Sequence, residues 1–461
     1  MTRKNNLLLG FMVTFLKISL SFLTYPLYLH YLNSFDLSLY FLFISTGAIL
    51  DVLDFGFSGN LTRYFSYAYA GAISINQGKS RQLLGSNNSP NHNLMVELIE
   101  FSRIYYKILS LVTLVFVVLG FSGYLYYFCS LHQQAFLRVV AIWFVYALST
   151  LLGVYYMYLS PFLIGMGYID KVNKVIFSSK VSGVLFQVFF LFCGYGLLSI
   201  AMGAVVATVI ERILLLHIVK KILISVRQYT TPKAFVSLFK DLWKLNYKFG
   251  LTSLSAIFIV KATTFMAGIA IHDIATLSEY LLTFQVFTVI LTLATVPIRN
   301  NSADIAAYHI TNPKLSFKMF LHANRKSMLV FITLACGILL FGNQVLQLLH
   351  FKHVLLPSKY LLLFVLIYAL ENQLGNHLTM IVNRNEIPHF VSYQVTAFSV
   401  FGLLIIFSFV FKLGIWGLLL PQLLCQLAFN YWYWVKYNLT QASFSVSCYL
   451  KTLFRSNIVS T

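Results

Sequence analysis

The sequence predicts an all-α protein that crosses a membrane many times, because it is strongly apolar, poor in charge and built from recurring long apolar segments. Hydrophobic residues make up 59% of the chain and charged residues 10%, whereas about a quarter of the residues of a soluble domain are charged. Apolar segments of about 18 or more residues recur throughout, and each is long enough to cross about 30 Å of hydrocarbon as a helix. Water is therefore not the main solvent of this chain.

About twelve such segments follow one another, joined by polar connections. We predict membrane spans at residues 7–29, 37–60, 108–129, 139–164, 175–193, 197–219, 249–271, 277–298, 328–349, 360–382, 390–411 and 415–437. The first span follows Arg3 and Lys4, but no small-residue cleavage pattern comes after it. We therefore expect an uncleaved helix and not a signal peptide.

The net charge of +20 is distributed unevenly between the connections. If the spans alternate in direction, the connections on the side opposite to the N-terminus hold only Lys352, Lys359 and Lys412, besides Arg138 at the edge of the fourth span. Positive side chains are retained in the cytoplasm during insertion, so both termini are predicted to be cytoplasmic. One missed span would exchange the two sides from that point onward, so the asymmetry favours an even number of spans. Basic residues spread over loops argue against a nucleic-acid partner, which needs them gathered on a soluble surface.

The predicted spans divide evenly about a basic stretch. We expect an N-terminal six-helix bundle at residues 1–219, a cytoplasmic linker at 220–248, a C-terminal six-helix bundle at 249–437 and a cytoplasmic tail at 438–461. Span two opens with LSLYFL and span eight with LSEYLL, a short similarity of the kind expected from internal repeats. Six spans in each half would make the repeat parallel, with a cavity between the halves.

Ionisable residues in the middle of predicted spans are the candidate functional residues, since each charge there costs about 2.5 to 3.5 kcal/mol on insertion scales. Lys17 and Lys261 lie deep in spans one and seven. Each is expected either to face a cationic substrate cavity or to bond to helix carbonyls or to Glu371. Glu371, in the middle of span ten, is a candidate for protonation or for pairing with Lys261. Arg299 ends span eight, where it would meet lipid phosphates or a substrate pyrophosphate.

Two acidic residues share one face of the second span. Asp51 and Asp54 are three residues apart, and Arg63 follows them at the cytoplasmic end. They are interpreted either as an ion-pair network or as a site for a coupling cation.

Other charged residues lie nearer the predicted span edges. Arg138, Lys180 and the neighbours Glu211 and Arg212 are therefore expected to reach the interface or to pair locally. No Walker loop, HExxH, GxSxG or CxxC pattern occurs, and the five cysteines have neither disulfide nor zinc spacing. We predict no catalytic residue, no metal site, no cofactor and no enzymatic activity.

Residues 40–72, YFLFISTGAILDVLDFGFSGNLTRYFSYAYAGA, contain a distinctive core, LDFGFSGNLTR, at residues 53–63. This run resembles the second-helix region of bacterial polysaccharide flippases in the multidrug/oligosaccharidyl-lipid/polysaccharide (MOP) exporter superfamily. Asp54, Gly56, Gly59 and Arg63 match the family motif. The span count and the six-plus-six division resemble that family more loosely.

The resemblance implies a MOP/MATE-like fold and transport by alternating access through a cationic cavity in the bacterial inner membrane. The implied substrate is an undecaprenyl-pyrophosphate-linked O-antigen or related repeat unit. Membrane lipids, a polysaccharide polymerase and a chain-length regulator are the implied partners.

Two alternatives remain. A cation-coupled drug exporter of the same superfamily usually has an acidic residue in its first helix, where this chain has Lys17. A membrane enzyme of polysaccharide assembly, such as a polymerase or ligase, would be expected to have a large outer loop, and the predicted outer loops are short.

Overall fold

The computed structural model describes residues 24–71, 90–226, 235–384, 386–446 and 449. Those residues form helices and short connections and contain no β-strand. The chain divides into two compact units, Met1–Gly250 and Leu251–Thr461. The fold class predicted from the sequence, an all-α polytopic membrane protein, is confirmed.

In the first unit a helical stretch at 24–31 precedes eight labelled helices. They are α1 Ser34–Leu53, α2 Phe57–Tyr69, α3 His92–Val112, α4 Gly120–Leu131, α5 Phe136–Tyr155, α6 Leu159–Gly165, α7 Ile169–Phe192 and α8 Leu197–Val226. A π-helical segment, Thr113–Leu119, joins α3 to α4 without a break.

Helix α9, Phe235–Ala270, contains the division between the units at Gly250, and its first part covers residues 235–248 of the predicted basic linker. The second unit continues with α10 Ile274–Ala294, α11 Val296–Thr311, α12 Pro313–Leu348, α13 Ser358–Val382, α14 Phe390–Ile405, α15 Ile415–Ala428 and α16 Asn430–Gln441. A π-helical segment, Ile406–Val410, extends α14.

Eight helical stretches within the described ranges are long and apolar enough to cross a membrane. They are His92–Leu131, Phe136–Gly165, Ile169–Phe192, Leu197–Ile222, Asn246–Ala270, Ile274–Ser302, Pro313–Leu348 and Phe390–Val410. Each overlaps a predicted span. The predicted spans at 37–60 and 415–437 are each interrupted, at residues 54–56 and at Phe429, and the predicted span at 360–382 is the single helix α13.

Small residues bring helices α7 and α8 together. A Cβ atom added to Gly183 would lie 2.6 Å from Ala207 Cβ and 2.8 Å from Gly203 O. A Cβ atom added to Gly203 would lie 2.7 Å from Gln187 Cβ. Lipid chains are as apolar as leucine, so helices in a membrane associate through such close packing and not through the hydrophobic effect.

We expect Gly183→Ala to lower the melting temperature of the purified protein, because the added methyl group would displace α8. Gly123→Ala, in α4, is the matched control, since no atom lies within 4 Å of the position of its added Cβ. Alanine is favoured over glycine inside a helix by roughly 0.5–1 kcal/mol, so the control should keep or raise the melting temperature. Equal thermal shifts for the two variants in detergent would contradict the tight α7–α8 contact.

Candidate functional site

Glu371 lies in the middle of α13, and one of its carboxylate oxygens collects three hydrogen bonds. Gln422 Nε2 and Gln426 Nε2 each donate to Glu371 Oε1 at 3.0 Å, and Tyr431 Oη donates to it at 2.9 Å. Gln422 and Gln426 are four residues apart on α15, so both amides lie on one helix face. All three donors are neutral. A hydrogen-bonded carboxylate of this kind meets the requirement that polar groups at membrane depth be satisfied within the protein.

The predicted pairing of Glu371 with Lys261 is not formed. Both residues lie in described helices, and no ion pair joins them there. Glu371 is bonded to α15 and α16, two helices that come about 50 residues later in the chain. No periodicity in the sequence indicated those partners.

The bonds to Glu371 continue as a chain of neutral side chains. Asn430 Nδ2 donates to Gln426 Oε1 at 2.8 Å and lies 2.8 Å from Thr396 Oγ1. Trp434 Nε1 in turn donates to Asn430 Oδ1 at 3.0 Å. Asn430 is fully buried. A hydrogen-bonded path therefore runs from Glu371 through α15 and α16 and reaches α14 at Thr396.

A second polar cluster lies on the adjacent face of α13. Asn376 Nδ2 donates to Asn324 Oδ1 and to Ser327 Oγ of α12, each at 2.8 Å. Ser327 Oγ donates to Asn372 Oδ1 at 3.1 Å. All four side chains are buried. This cluster was not predicted from the sequence, although the polar run ENQLGNH at 371–377 inside a predicted span was a signal for it.

Near the end of α13, the ring of His377 links two further parts of the second unit. His377 Nε2 and Tyr449 Oη lie 2.8 Å apart, and Asn438 Nδ2 donates to His377 Nδ1 at 3.0 Å. Arg384 then donates to Asn438 Oδ1 at 2.7 Å. These bonds fasten α16 and Tyr449 to α13.

Lys261 lies within the membrane-crossing part of α9, Asn246–Ala270, as the sequence predicted. Its ammonium nitrogen is 4.7 Å from the centre of the Phe284 ring on α10, within the range of a cation–π interaction. The Tyr368 ring meets Phe284 edge-on, with the ring centres 6.3 Å apart. Among the described residues no carboxylate or hydrogen-bond acceptor is paired with Lys261. Lys261 is therefore a half-buried cation that forms no ion pair with any described carboxylate.

The motif residue Asp54 lies in the turn between α1 and α2. Asp54 is buried; its Oδ2 accepts a 2.8 Å hydrogen bond from the Ser58 amide, and its Oδ1 accepts a 2.6 Å bond from Tyr106 Oη. Gly56 has a φ of 71°, a conformation that glycine adopts without strain, and an added Cβ would lie 2.8 Å from the Phe249 ring. The Asp-x-Gly part of the motif thus builds the break between α1 and α2.

The other predicted site residues are dispersed. Arg63 is exposed and donates to Asn60 Oδ1. No atom lies within 4 Å of the position of a Cβ added to Gly59, and Arg299 is exposed on α11. Asp51 lies in α1, but its side chain is outside the described set, as is the whole of Lys17.

Four charged residues, Arg138, Lys180, Glu211 and Arg212, were predicted to lie near the edges of spans. Arg138 pairs with Asp36 of α1 at 3.0 Å, and Arg212 pairs with its neighbour Glu211 at 3.3 Å near the middle of α8. Lys180 is exposed and lies near the middle of α7, which begins at Ile169 and ends at Phe192, with 11 residues before it and 12 after it. Its assignment to the interface stays a prediction. The first turns of α7 are polar, so hydropathy placed the start of the predicted span at residue 175 and not at Ile169, where the helix begins.

The fold is similar to that of solved transporter structures. A lipid II flippase, MurJ, in an inward closed conformation aligns with a TM-score of 0.63 and 14% identity over 97% of this chain and 90% of that one. A multidrug resistance MATE family transporter of the MOP superfamily aligns in its inward-facing conformation with a TM-score of 0.60 and 14% identity, over 92% of this chain and 94% of that one. An outward-facing structure of a MATE family transporter of the MOP superfamily aligns with a TM-score of 0.56 and 14% identity, over 95% of this chain and 94% of that one. No family model and no curated protein matches the chain. The chain therefore has a MATE- and MurJ-like fold.

We expect Glu371→Leu to lower the melting temperature, because Gln422, Gln426 and Tyr431 would lose their shared acceptor. A buried polar group left unsatisfied costs about 1–3 kcal/mol. Glu371→Gln keeps an acceptor oxygen and should melt close to the wild type. Glu279→Leu removes a half-buried glutamate that has no hydrogen bond within the described part of the chain, and serves as the control. If thermal unfolding of Glu371→Leu matched that of the control, these three bonds would not hold the helices together.

Proposed function

We propose that this protein is a flippase that carries an oligosaccharide linked to undecaprenyl pyrophosphate from the cytoplasmic to the periplasmic leaflet of a bacterial inner membrane. The observation that carries the proposal is Lys261, which lies within the apolar stretch Asn246–Ala270 of α9 and forms no ion pair with another described residue. The motif at residues 53–63 supports the same assignment, since it resembles that of bacterial polysaccharide flippases.

The chemistry of Lys261 fits an anionic head group. A cation over an aromatic face gains about 0.5–2 kcal/mol but makes no hydrogen bond to it. An ammonium group has three N–H donors, so the contact with Phe284 leaves them available to an incoming oxygen. Phosphate oxygens are strong acceptors, and charge-assisted bonds to them are about twice as strong as neutral ones. An organic cation would instead be repelled by the same side chain.

The transporter fold supplies the rest of the proposed mechanism. Sugar hydroxyls and a pyrophosphate need a polar path, whereas the polyprenyl tail can remain in lipid. MurJ, which shares the fold at low identity, is a lipid II flippase, and this supports a lipid-linked substrate here. Alternating access would expose the bound head first to one leaflet and then to the other. A polysaccharide polymerase and a chain-length regulator are the proposed downstream partners.

A cation-coupled exporter of small molecules is the second candidate. It is favoured by the similarity to multidrug MATE transporters and by the buried carboxylate of Glu371. Under that alternative Glu371 would take up the coupling cation, and Lys261 would have no ligand of opposite charge.

Deletion of the gene should cause lipid-linked repeat units to accumulate on the cytoplasmic leaflet, and expression of the wild-type chain should clear them. Extraction of the lipid-linked intermediates, followed by mass measurement, tests this expectation. A deletion strain with unchanged surface polysaccharide and no accumulated intermediate would contradict the proposed function.

We expect Lys261→Ala to reduce translocation by roughly tenfold or more, a loss of about 1.4 kcal/mol for each factor of ten. Lys261→Arg should retain most activity because it keeps the positive charge. Lys248→Ala is the matched control: Lys248 is exposed on the same helix, at the start of the stretch Asn246–Ala270 and 13 residues before Lys261. Complementation of the deletion strain is scored at equal membrane levels of each variant. Full activity of Lys261→Ala would show that this lysine takes no part in translocation. An equal loss of activity in the alanine and arginine variants would show that translocation depends on the shape of the side chain and not on its charge.

A further inference from the structure

The first unit contains a cavity of about 340 Å³, lined by both polar and apolar side chains, that the proposed mechanism does not use. It lies between the helical stretch at 24–31 and helices α1, α5, α7 and α8. Its polar lining consists of Thr24, Tyr28, Tyr40, Tyr146, Lys180 and Gln187. Its volume falls within the roughly 300–1,000 Å³ of small-molecule sites. The described lining contains no acidic side chain.

The close contact between α7 and α8 determines which side chains face this cavity. Lys180, Gly183 and Gln187 are spaced by three and four residues, so they share one face of α7. Because Gly183 brings the backbone of α7 against Gly203, the side chains one turn before and after it are directed into the space beside α8. The glycine pair therefore shapes the cavity as well as holding the helices together.

Lys180 is the second lysine that lies at mid-helix in an apolar span. It has 11 residues of α7 before it and 12 after it, which places it roughly 17 Å from either end at 1.5 Å per residue. The charged first turns of α7 end at Lys174, six residues or roughly 9 Å before Lys180, whose side chain is exposed. A charge within an apolar span is expected to face a cavity or a partner. Within the described ranges Lys180 makes no ion pair, and it lines the cavity.

The remaining polar groups of the cavity are suited to hydroxyl-bearing ligands. Gln187 Nε2 donates to Tyr28 Oη, and the Tyr28 and Tyr40 rings meet edge-on with their centres 4.8 Å apart. Tyrosine offers an apolar ring face together with a hydroxyl that donates and accepts hydrogen bonds. The cavity thus combines one cation, several hydroxyl groups and an amide with aromatic walls.

We propose that this cavity binds the anionic, hydroxyl-bearing part of the transported head group, with Lys180 on the negative charge and the tyrosines on the hydroxyls. This inference rests on the proposed function and adds to it a second binding position for the head group. The negative charge has two sources, the diphosphate of the lipid carrier or the carboxylate of an acidic sugar in the repeat unit.

The test measures binding to the full-length protein in phosphatidylcholine nanodiscs by calorimetry. The probes are a short-chain prenyl diphosphate, a glucuronate-containing disaccharide and maltose as the neutral sugar. Lys180→Gln should weaken binding of one anionic probe by roughly tenfold, and Lys180→Arg should restore it. Lys174→Gln is the control, because Lys174 is exposed on the same helix, as Lys180 is, but does not line the cavity.

The probe that depends on Lys180 identifies the source of the charge. If only the binding of the diphosphate probe depends on Lys180, the cavity binds the diphosphate of the lipid carrier. If only the binding of the glucuronate probe depends on Lys180, the cavity binds an acidic sugar. If neither anionic probe loses more than about twofold on Lys180→Gln, the inference is overturned.

A labelling experiment keeps the test independent of the stability of the Lys180 variants. Ala204 lines the cavity, so Ala204→Cys, in a chain whose native cysteines are replaced by serine, should react with a negatively charged thiosulfonate. The bound anionic probe should slow that reaction several-fold, and maltose should not. Equal rates with and without the anionic probes would also overturn the inference.

Complementation separates this inference from the proposed function. If the wild-type chain clears the accumulated intermediates but Lys180→Gln changes neither binding nor translocation, only the inference about the cavity fails. If the wild-type chain clears nothing while a probe still binds through Lys180, the proposed function fails and the anion site stands.

Discussion

Hydrocarbon offers no hydrogen-bond partner, so the backbone polar groups of the membrane-spanning helices must be satisfied by the protein itself. This constraint accounts for a described chain that is helical almost throughout. It also explains how the helices are interrupted. At the break between α1 and α2, Asp54 supplies acceptors to the Ser58 amide and to Tyr106. At the starts of α10 and α12, the side chains of Asp273 and Asn312 accept bonds from backbone amides in the same way.

The same constraint separates two kinds of polar side chain at membrane depth. Glu371, Asn376 and their neighbours are bonded to donors and acceptors on other helices, so their polarity holds α12, α13, α15 and α16 together. Lys180 and Lys261 are different, because neither is in an ion pair with another described residue. Polar side chains that hydrogen-bond to one another across helices have a structural role that accounts for their presence. An unpaired cation at the same depth calls for a ligand of opposite charge, and this is why the functional proposals rest on the lysines and not on the more numerous amides.

Each of the two units carries one such lysine in an aromatic setting. Phe284 lies under Lys261 in the second unit, and tyrosines line the cavity beside Lys180 in the first. Aromatic rings stabilise a cation without occupying its hydrogen-bond donors, so the charge can be held in a low-dielectric region between binding events. Under the proposed function, this arrangement lets the protein receive phosphate or carboxylate oxygens without first breaking an internal salt bridge.

Local composition determined the fold class and most of the spans, because hydropathy sums over neighbouring residues and a helix satisfies its own backbone. The depth of Lys261 followed from the same reasoning. Local composition did not show the break at Gly56, where a left-handed backbone conformation ends α1, nor the start of α7 at Ile169, which places Lys180 at mid-helix. Tertiary structure alone decided that Glu371 bonds to Gln422, Gln426 and Tyr431, and that Lys180 and Gln187 line a cavity beside α8. Such partners depend on which helix faces meet across long separations in the chain, and apolar sequences of similar composition allow many such pairings.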